Sequence, residues 1–224
     1  MTQPLLFDPV TPPAHDAIDL YLGPCEDLLP MSGDLAVADP PWLYRQQAGN
    51  PVSNHYDGLP VETIVAHLAQ LDAPRLALWI TWPILAADWP AKLPVWGRPV
   101  TGGAWFKSDP GDSGDYGQGY HWAGTSEPVL IYTRGASHNS RSKLRNAWHE
   151  PRGLHSRKPV EWMAQWFRRW VPPGGCVIEP YAGLGATAEA VLEAGEGRTY
   201  CGAELDPERH AGALSLLAQW RQDA

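Results

Sequence analysis

The apolar run Leu35-Ala36-Val37-Ala38 breaks off at Asp39-Pro40-Pro41-Trp42. The run reads as a buried strand. The two prolines that follow fix φ near −65° and remove two backbone N–H donors, so regular pairing does not continue across them. The strand therefore ends in a carboxylate, beside proline carbonyls left to accept hydrogen bonds. Trp42 adds a flat aromatic face. Together these groups suit a planar heterocycle with an exocyclic amine, whose two N–H groups meet carboxylate and carbonyl while its ring stacks on the indole. The plainer alternative is a strand closed by an Asx-type turn, which Asp-Pro dipeptides often make.

A second constellation lies far downstream. Cys176-Val177-Ile178 reads as a short buried strand after the breaker Pro172-Pro173-Gly174-Gly175. Glu179-Pro180-Tyr181-Ala182-Gly183-Leu184-Gly185-Ala186-Thr187 follows, and Ala188 to Glu193 has the composition of a helix start. A glycine-rich turn between strand and helix lets a ligand approach the backbone, with N–H groups at the helix start facing it. The apolar run Tyr200-Cys201-Gly202-Ala203 then ends at Glu204, with Asp206 close behind. Glu204 stands about twenty residues past the glycines, the spacing at which an acid binds a ribose diol in doubly wound folds. Gly183-x-Gly185-x-x-Ala188 also fits the dinucleotide fingerprint, and Glu204 would serve an NAD ribose equally well. An oxidoreductase is therefore a second reading. Against it, only 20 residues remain after Glu204, nothing resembles a hydride-transfer constellation, and Asp39 to Trp42 would go unexplained.

Asp39-Pro40-Pro41-Trp42 resembles the Asp-Pro-Pro-Tyr/Trp signature of the amino methyltransferases, which methylate adenine N6 or cytosine N4, in the Trp form of many adenine-modifying members. Glu179 to Thr187 resembles their S-adenosyl-L-methionine (AdoMet) pocket, Asp-Pro-Phe-x-Gly-x-Gly-Thr-Thr, and Gly202-Ala203-Glu204 the Gly-x-Glu strand end that follows. Glu179 replaces the usual Asp and Tyr181 the Phe, both keeping the chemistry, whereas Ala186 removes one hydroxyl. His155 with Lys158-Pro159 resembles the His and Lys-Pro element ahead of that pocket. The tetrapeptide precedes the glycine loop, so the motif order is circularly permuted. This resembles the β class of DNA amino methyltransferases and the relatives of the mRNA adenosine methyltransferases, over nearly the whole chain from Asp19.

The resemblance implies an α/β, Rossmann-like AdoMet-dependent methyltransferase fold, with a mostly parallel sheet and helices on both faces. It implies catalysis by Asp39, Pro40, Pro41 and Trp42, without a metal. AdoMet would be held by Asp39, Lys158, Glu179, Pro180 and Tyr181, by Gly183, Gly185, Ala186 and Thr187, and by Glu204, Leu205 and Asp206. Pro24 stands where the β class usually has an Asp that contacts the cofactor adenine, so Cys25 or Glu26 would supply that edge, or none does. Asp39 and the Pro40 carbonyl would accept the two amine hydrogens, favouring a pyramidal nitrogen for direct in-line displacement. In a duplex the base must be flipped out, here against Trp42. The expected substrate is adenine N6 in DNA, with cytosine N4 or adenosine N6 in RNA as alternatives. An inactive nucleic-acid-binding subunit is a further one, which the retained Asp39 argues against.

The chain has 224 residues and reads as one α/β domain, 1–224, with a flexible segment over 1–17. It has no apolar run of membrane-spanning length, and no basic stretch leads into an apolar one at its N-terminus, so a cytoplasmic protein is expected. Cys25, Cys176 and Cys201 share no metal-ligand spacing and read as reduced residues. Pro24-Cys25 is read as a turn rather than a nucleophile. Charge is uneven: the first 44 residues hold seven acids and no Lys or Arg, within a net charge of −8. Arg134 to Lys158 holds seven basic residues against Glu150 alone. Such a strip suits phosphate contacts, although an ordinary solvated loop would look the same. Arg134, Arg141, Lys143, Arg145 and Arg157, with Tyr44 and His55, are the candidate DNA contacts, and the resemblance to small permuted methyltransferases, which often dimerise, leaves a homodimer open.

The coarse pattern predicts strands over Ile18–Leu22, Arg75–Thr81, Val100–Lys107 and Glu127–Thr133, the last two partly antiparallel. A helical turn is expected at Cys25–Leu29 and helices over Val61–Leu71 and Trp82–Pro94. Val160, Met163, Phe167 and Trp170 share one helical face beside Trp162 and Trp166, a stripe that reads as core. Twelve Trp is many, and most should be packed. Loops 44–57, 108–119 and 134–158 are left to contact nucleic acid.

Overall fold

A computed structural model describes residues 18–43, 58–86, 89, 93–107, 125–135, 144–150 and 157–223. The expectations for the segment 1–17, for loops 44–57 and 108–119, and for Tyr44, His55, Arg141, Lys143 and His155 lie outside the described residues. Eight strands form one sheet in the order β1 (Ile18–Leu22), β10 (Thr199–Glu204), β9 (Cys176–Glu179), β3 (Leu35–Ala38), β5 (Arg75–Trp79), β7 (Ser126–Thr133), β6 (Thr101–Phe106) and β8 (Ala147–His149). Of these, β7 runs antiparallel to its neighbours, β5 and β6, while the other pairs are parallel. A separate two-stranded parallel pair joins β2 (Met31–Ser32) to β4 (Leu71–Asp72).

Alternation along the strands divides the core between two faces. Leu35, Val37, Ala77, Trp79 and Val177 pack on helices α3 (Val160–Trp170) and α4 (Ala186–Ala194). Leu217 of α5 (Pro207–Asp223) joins them. Ala36, Ala38, Leu76, Leu78 and Ile178 face the other way, onto Ile64 and Leu68 of α1 (Val61–Ala69) and onto Trp89, Leu93 and Trp96. Both faces of the central strands are therefore covered, as their unbroken apolar composition requires. No helix among the described residues is long and apolar enough to cross a membrane.

The aromatic stripe of α3 is core, shifted by one position from the expectation. Trp162, Met163, Trp166 and Phe167 are buried, while Val160 and Trp170 are only partly covered. Trp162 meets Trp166 edge-on at 4.6 Å and Trp79 at 6.1 Å. Two further expectations are corrected. Among the described residues the helix after β5, α2, spans Trp82–Ala86, and a turn rather than its continuation follows Leu93. The segment 134–158, expected as a loop, contains β8, because Ala147 to His149 pair with the edge of β6.

The topology selects one place on the sheet. From β9 the chain passes through α4 to β10 on one side, and from β3 through α1 to β5 on the other. β3 and β9 are neighbours, with Leu35 opposite Val177 and Ala36 opposite Ile178. The connections thus diverge from two adjacent strands and open a crevice outside their carboxyl ends, where open α/β sheets bind ligands. Asp39 and the glycine loop both emerge there.

Candidate active site

Asp39 follows β3 directly, and its side chain is 38% exposed in that crevice. Lys158 Nζ donates to its Oδ2 at 2.7 Å. The same ammonium lies 3.0 Å from Glu127 Oε2, and Lys107 Nζ donates to Glu127 Oε1 at 2.7 Å. Two acids and two cations therefore form one chain of charge that runs from the carboxyl end of β3 to the start of β7 and the end of β6. Trp79 underlies it, with Lys158 Nζ 5.4 Å from its ring centre. Burial works against the Lys158 ammonium, but Asp39 and Glu127 outweigh it and raise its pKa well above the ordinary value. Burial likewise favours a neutral Glu127, yet Lys158 and Lys107 hold its carboxyl at about 2. At Asp39 burial raises the carboxyl pKa, against the pull of Lys158. The sequence motifs single out Asp39 and Lys158 but not Glu127 or Lys107. A charged residue in or beside each of two strand segments is the signal that could have found them.

The proline turn differs from expectation in two respects. Trp42 is 3% exposed and packs edge-on against Trp89, at 4.8 Å and 84°. Its ring belongs to the core of the second sheet face and presents no open surface for a base. Pro41 is also engaged, because its carbonyl accepts the Leu59 N–H at 2.8 Å. Trp42 and Leu59 form an isolated bridge there, tying the turn to the start of α1. Pro40 itself is buried.

The glycine loop takes the left-handed conformation twice, with φ +57° at Gly183 and +72° at Gly185. A side chain at Gly183 would meet nothing within 4 Å, whereas one at Gly185 would stand 3.0 Å from Ala213 Cβ. Gly185 thus lets α5 approach, and Gly183 keeps an open space. Glu204 clamps this region: its Oε2 accepts the Gly183 N–H at 2.7 Å and its Oε1 the Asp206 N–H at 2.9 Å. Beyond it Leu205 is 70% exposed. Asp206 is a helix cap, its Oδ1 accepting the Glu208 N–H at 2.8 Å at the start of α5.

Other residues of the expected cofactor set turn inward. Glu179 is 3% exposed, with Thr187 Oγ1 and the Tyr200 hydroxyl each donating to it at 2.7 Å. Burial raises its carboxyl pKa to about 8, despite those two donors. Neither Glu179 nor Thr187, itself 3% exposed, retains an open polar edge. Pro180 and Ala186 are buried as well. The Tyr181 hydroxyl is 2.8 Å from His67 Nδ1, which also lies 3.4 Å from Cys25 Sγ. His67 Nε2 is 3.1 Å from Glu26. Cys25 therefore sits in a buried cluster with His67 of α1, which also meets Tyr181 of the glycine loop, and burial raises its thiol pKa to about 12. His67 is a residue the motifs do not flag; in sequence it is one more position of an amphipathic helix.

The described residues of the basic strip do not share one surface. Arg134 follows Thr133, whose strand partner is Arg75 at the start of β5, so it leaves the sheet at the end opposite Asp39. There its Nη1 donates to the Leu71 carbonyl at 2.8 Å and its guanidinium lies 3.8 Å over the Trp96 ring. Arg157 pairs with Glu189 of α4. Both are structural cations rather than free phosphate ligands. Arg145 is exposed, and its carbonyl accepts the Trp162 indole N–H at 3.1 Å.

The sequence matches no family model and no curated protein. Solved structures share its fold. TTHA0409 from Thermus thermophilus, a candidate DNA modification methylase complexed with S-adenosyl-L-methionine, is 18% identical with a TM-score of 0.65, over 91% of this chain and 94% of its own. The M1.HpyAVI–SAM complex is 15% identical with a TM-score of 0.63, over 89% of this chain and 100% of its own. PvuII DNA methyltransferase, cytosine-N4-specific, is 12% identical with a TM-score of 0.63, over 92% of this chain and 89% of its own. The chain thus shares a Rossmann-like fold, along nearly its full length, with these proteins.

Proposed function

We propose that this protein is an AdoMet-dependent DNA methyltransferase acting on the exocyclic amine of a base, adenine N6 in the first place. The observation that carries the reading is Asp39, a part-exposed carboxylate at the topological switch point, one strand from a glycine loop and held on one oxygen by Lys158. The likeness to TTHA0409 and M1.HpyAVI, each solved with AdoMet, supports the cofactor.

The crevice fits AdoMet on its own chemistry. Gly183 leaves open space where any side chain would project, Glu204 offers the remaining lone pairs of its carboxylate to ribose hydroxyls, and Leu205 offers apolar surface to a flat ring. When bound, AdoMet supplies an electrophilic sulfonium methyl. The chain's own groups prepare the amine. Asp39 Oδ1 accepts one hydrogen and the Pro40 carbonyl the other, which turns the nitrogen lone pair out of the ring plane. Lys158 holds Oδ2, neutralises the carboxylate and stays protonated between Asp39 and Glu127, so it is not the base that receives the amine proton. Positioning and fixed charge are what the chain contributes to the transfer, and Asp39 Oδ1, which already holds one amine hydrogen, is the group placed to take the proton that the nitrogen would shed.

Cytosine N4 is the second reading. PvuII methyltransferase, which shares the fold, is cytosine-N4-specific, and the preference for adenine rests on the resemblance of the Trp form alone. The test is to incubate the protein with AdoMet and unmethylated genomic DNA and to quantify methylated nucleosides by mass spectrometry, with an RNA substrate alongside. N6-methyladenine that disappears in Asp39→Ala, while AdoMet still binds, is the expected result. N4-methylcytosine would transfer the mechanism to the other base, and no methylated base in either nucleic acid would overturn the reading.

A further inference from the structure

We propose that Trp82 is the aromatic surface on which the extruded base stacks, a substrate-positioning role that rests on the methyltransferase reading above. A base taken out of a duplex loses its stacking partners, and an aromatic side chain in the enzyme replaces them. Trp42 cannot do so with its ring at 3% exposure and edge-on to Trp89. Trp79, Trp105, Trp162 and Trp166 are core residues. Phe106 and His149 reach the same end of the sheet but stack on each other, at 4.8 Å and 13°.

Trp82 is placed differently. It opens α2, three residues beyond the end of β5, and is 52% exposed. β5 pairs with β3 through Leu78 and Ala38, so Trp82 leaves the sheet beside the turn that carries Asp39. Its ring is tethered, since the indole N–H donates to Ser126 Oγ at 3.1 Å. Ser126 immediately precedes Glu127, which pairs with Lys158, which in turn holds Asp39. The start of β7 therefore anchors both the exposed indole and the reactive carboxylate. A bond at the ring's polar edge restrains an indole that is otherwise half exposed, so its apolar surface is available to a base. Leu43, also 52% exposed, follows the Asp39 turn and extends the apolar surface at this end.

Methylation of genomic DNA by Trp82→Ala, Trp82→Leu and Trp82→Phe, with AdoMet affinity and thermal midpoint measured in parallel, tests the role. Trp82→Ala should lower kcat/KM for DNA by about 5- to 150-fold, the range of one base–aromatic stack, with AdoMet binding and stability unchanged. Trp82→Phe should restore most of the rate and Trp82→Leu should not, because an aliphatic group fills space without offering a π face. Trp82→Ala at wild-type rate, or equal rescue by Leu and Phe, would overturn the assignment while leaving the methyltransferase reading intact. A wild-type protein that methylates no base would overturn that reading, and this role with it.

Discussion

Lys158 is the residue on which the charge chain turns, since among the described residues it is the group that touches both Asp39 and Glu127. Lys158→Met would leave two carboxylates near each other without the ammonium between them. The loss should be about 2–3 kcal/mol in urea unfolding, slightly below the usual figure for a broken buried pair because Asp39 is 38% exposed. Asp39→Asn keeps the shape of the side chain and removes its charge, so it should retain AdoMet affinity while methyl transfer falls about 10²–10³-fold, as when one preorganised electrostatic partner is lost. Single-turnover methylation with saturating AdoMet measures this. An Asp39→Asn protein that lost AdoMet binding instead would make Asp39 a cofactor ligand.

Among the elements, the glycine loop separates two roles that its sequence presents as one motif. Gly185 is required by packing: Ala there would place a Cβ in the left-handed region and 3.0 Å from Ala213 Cβ of α5. Gly185→Ala should lower stability by about 1–2 kcal/mol, the cost of the left-handed conformation for an L-residue, with further loss from the contact. Gly183 has the same backbone hand but open space around it. Gly183→Ala should therefore fold with little more than the backbone cost, yet bind AdoMet markedly more weakly. Thermal midpoints and calorimetric AdoMet titration of the two variants measure the contrast, and equal AdoMet affinities would sink it.

At the scale of the whole molecule, Glu179 couples folding to pH. Its carboxyl pKa is raised to about 8 from an ordinary 4.5, because it is buried at the end of β9, against the pull of the hydrogen bonds that Thr187 and Tyr200 donate to it. A raised folded-state pKa means the folded chain holds its proton more tightly than the unfolded one. The contribution is complete below about 4.5 and is lost as pH climbs through about 8. Thermal stability should therefore decline across that window, and Glu179→Gln, neutral at every pH, should flatten the decline. A profile of the same slope in the Gln variant would show that other groups set it.

Much of this architecture was legible in the chain because its signals are local. Apolar runs named the strands β3, β5, β9 and β10, and prolines and glycines named where several of them stopped. The carboxylate after β3 was readable from the apolar run that ends at Asp39-Pro40-Pro41 and the acid at the end of β10 from its spacing to the glycines, and both lie at the carboxyl ends of the parallel strands. What stayed hidden was which partner each side chain would find. Trp42 is a base platform in sequence and a core residue in the fold, since Trp89, 47 residues on, closes over it. Arg134 and Arg157 belong to one basic strip along the chain. An antiparallel β7 carries the first to the far end of the sheet, and Glu189 binds the second. Glu127 joined the site only because β7 sets its first residues against Lys158, 31 residues away in sequence. Periodicity and turn chemistry act over a few residues and so decide the elements. Burial and charge pairing act across space, so the tertiary structure alone decides which faces close, which cations are already satisfied and which aromatic rings are taken into the core.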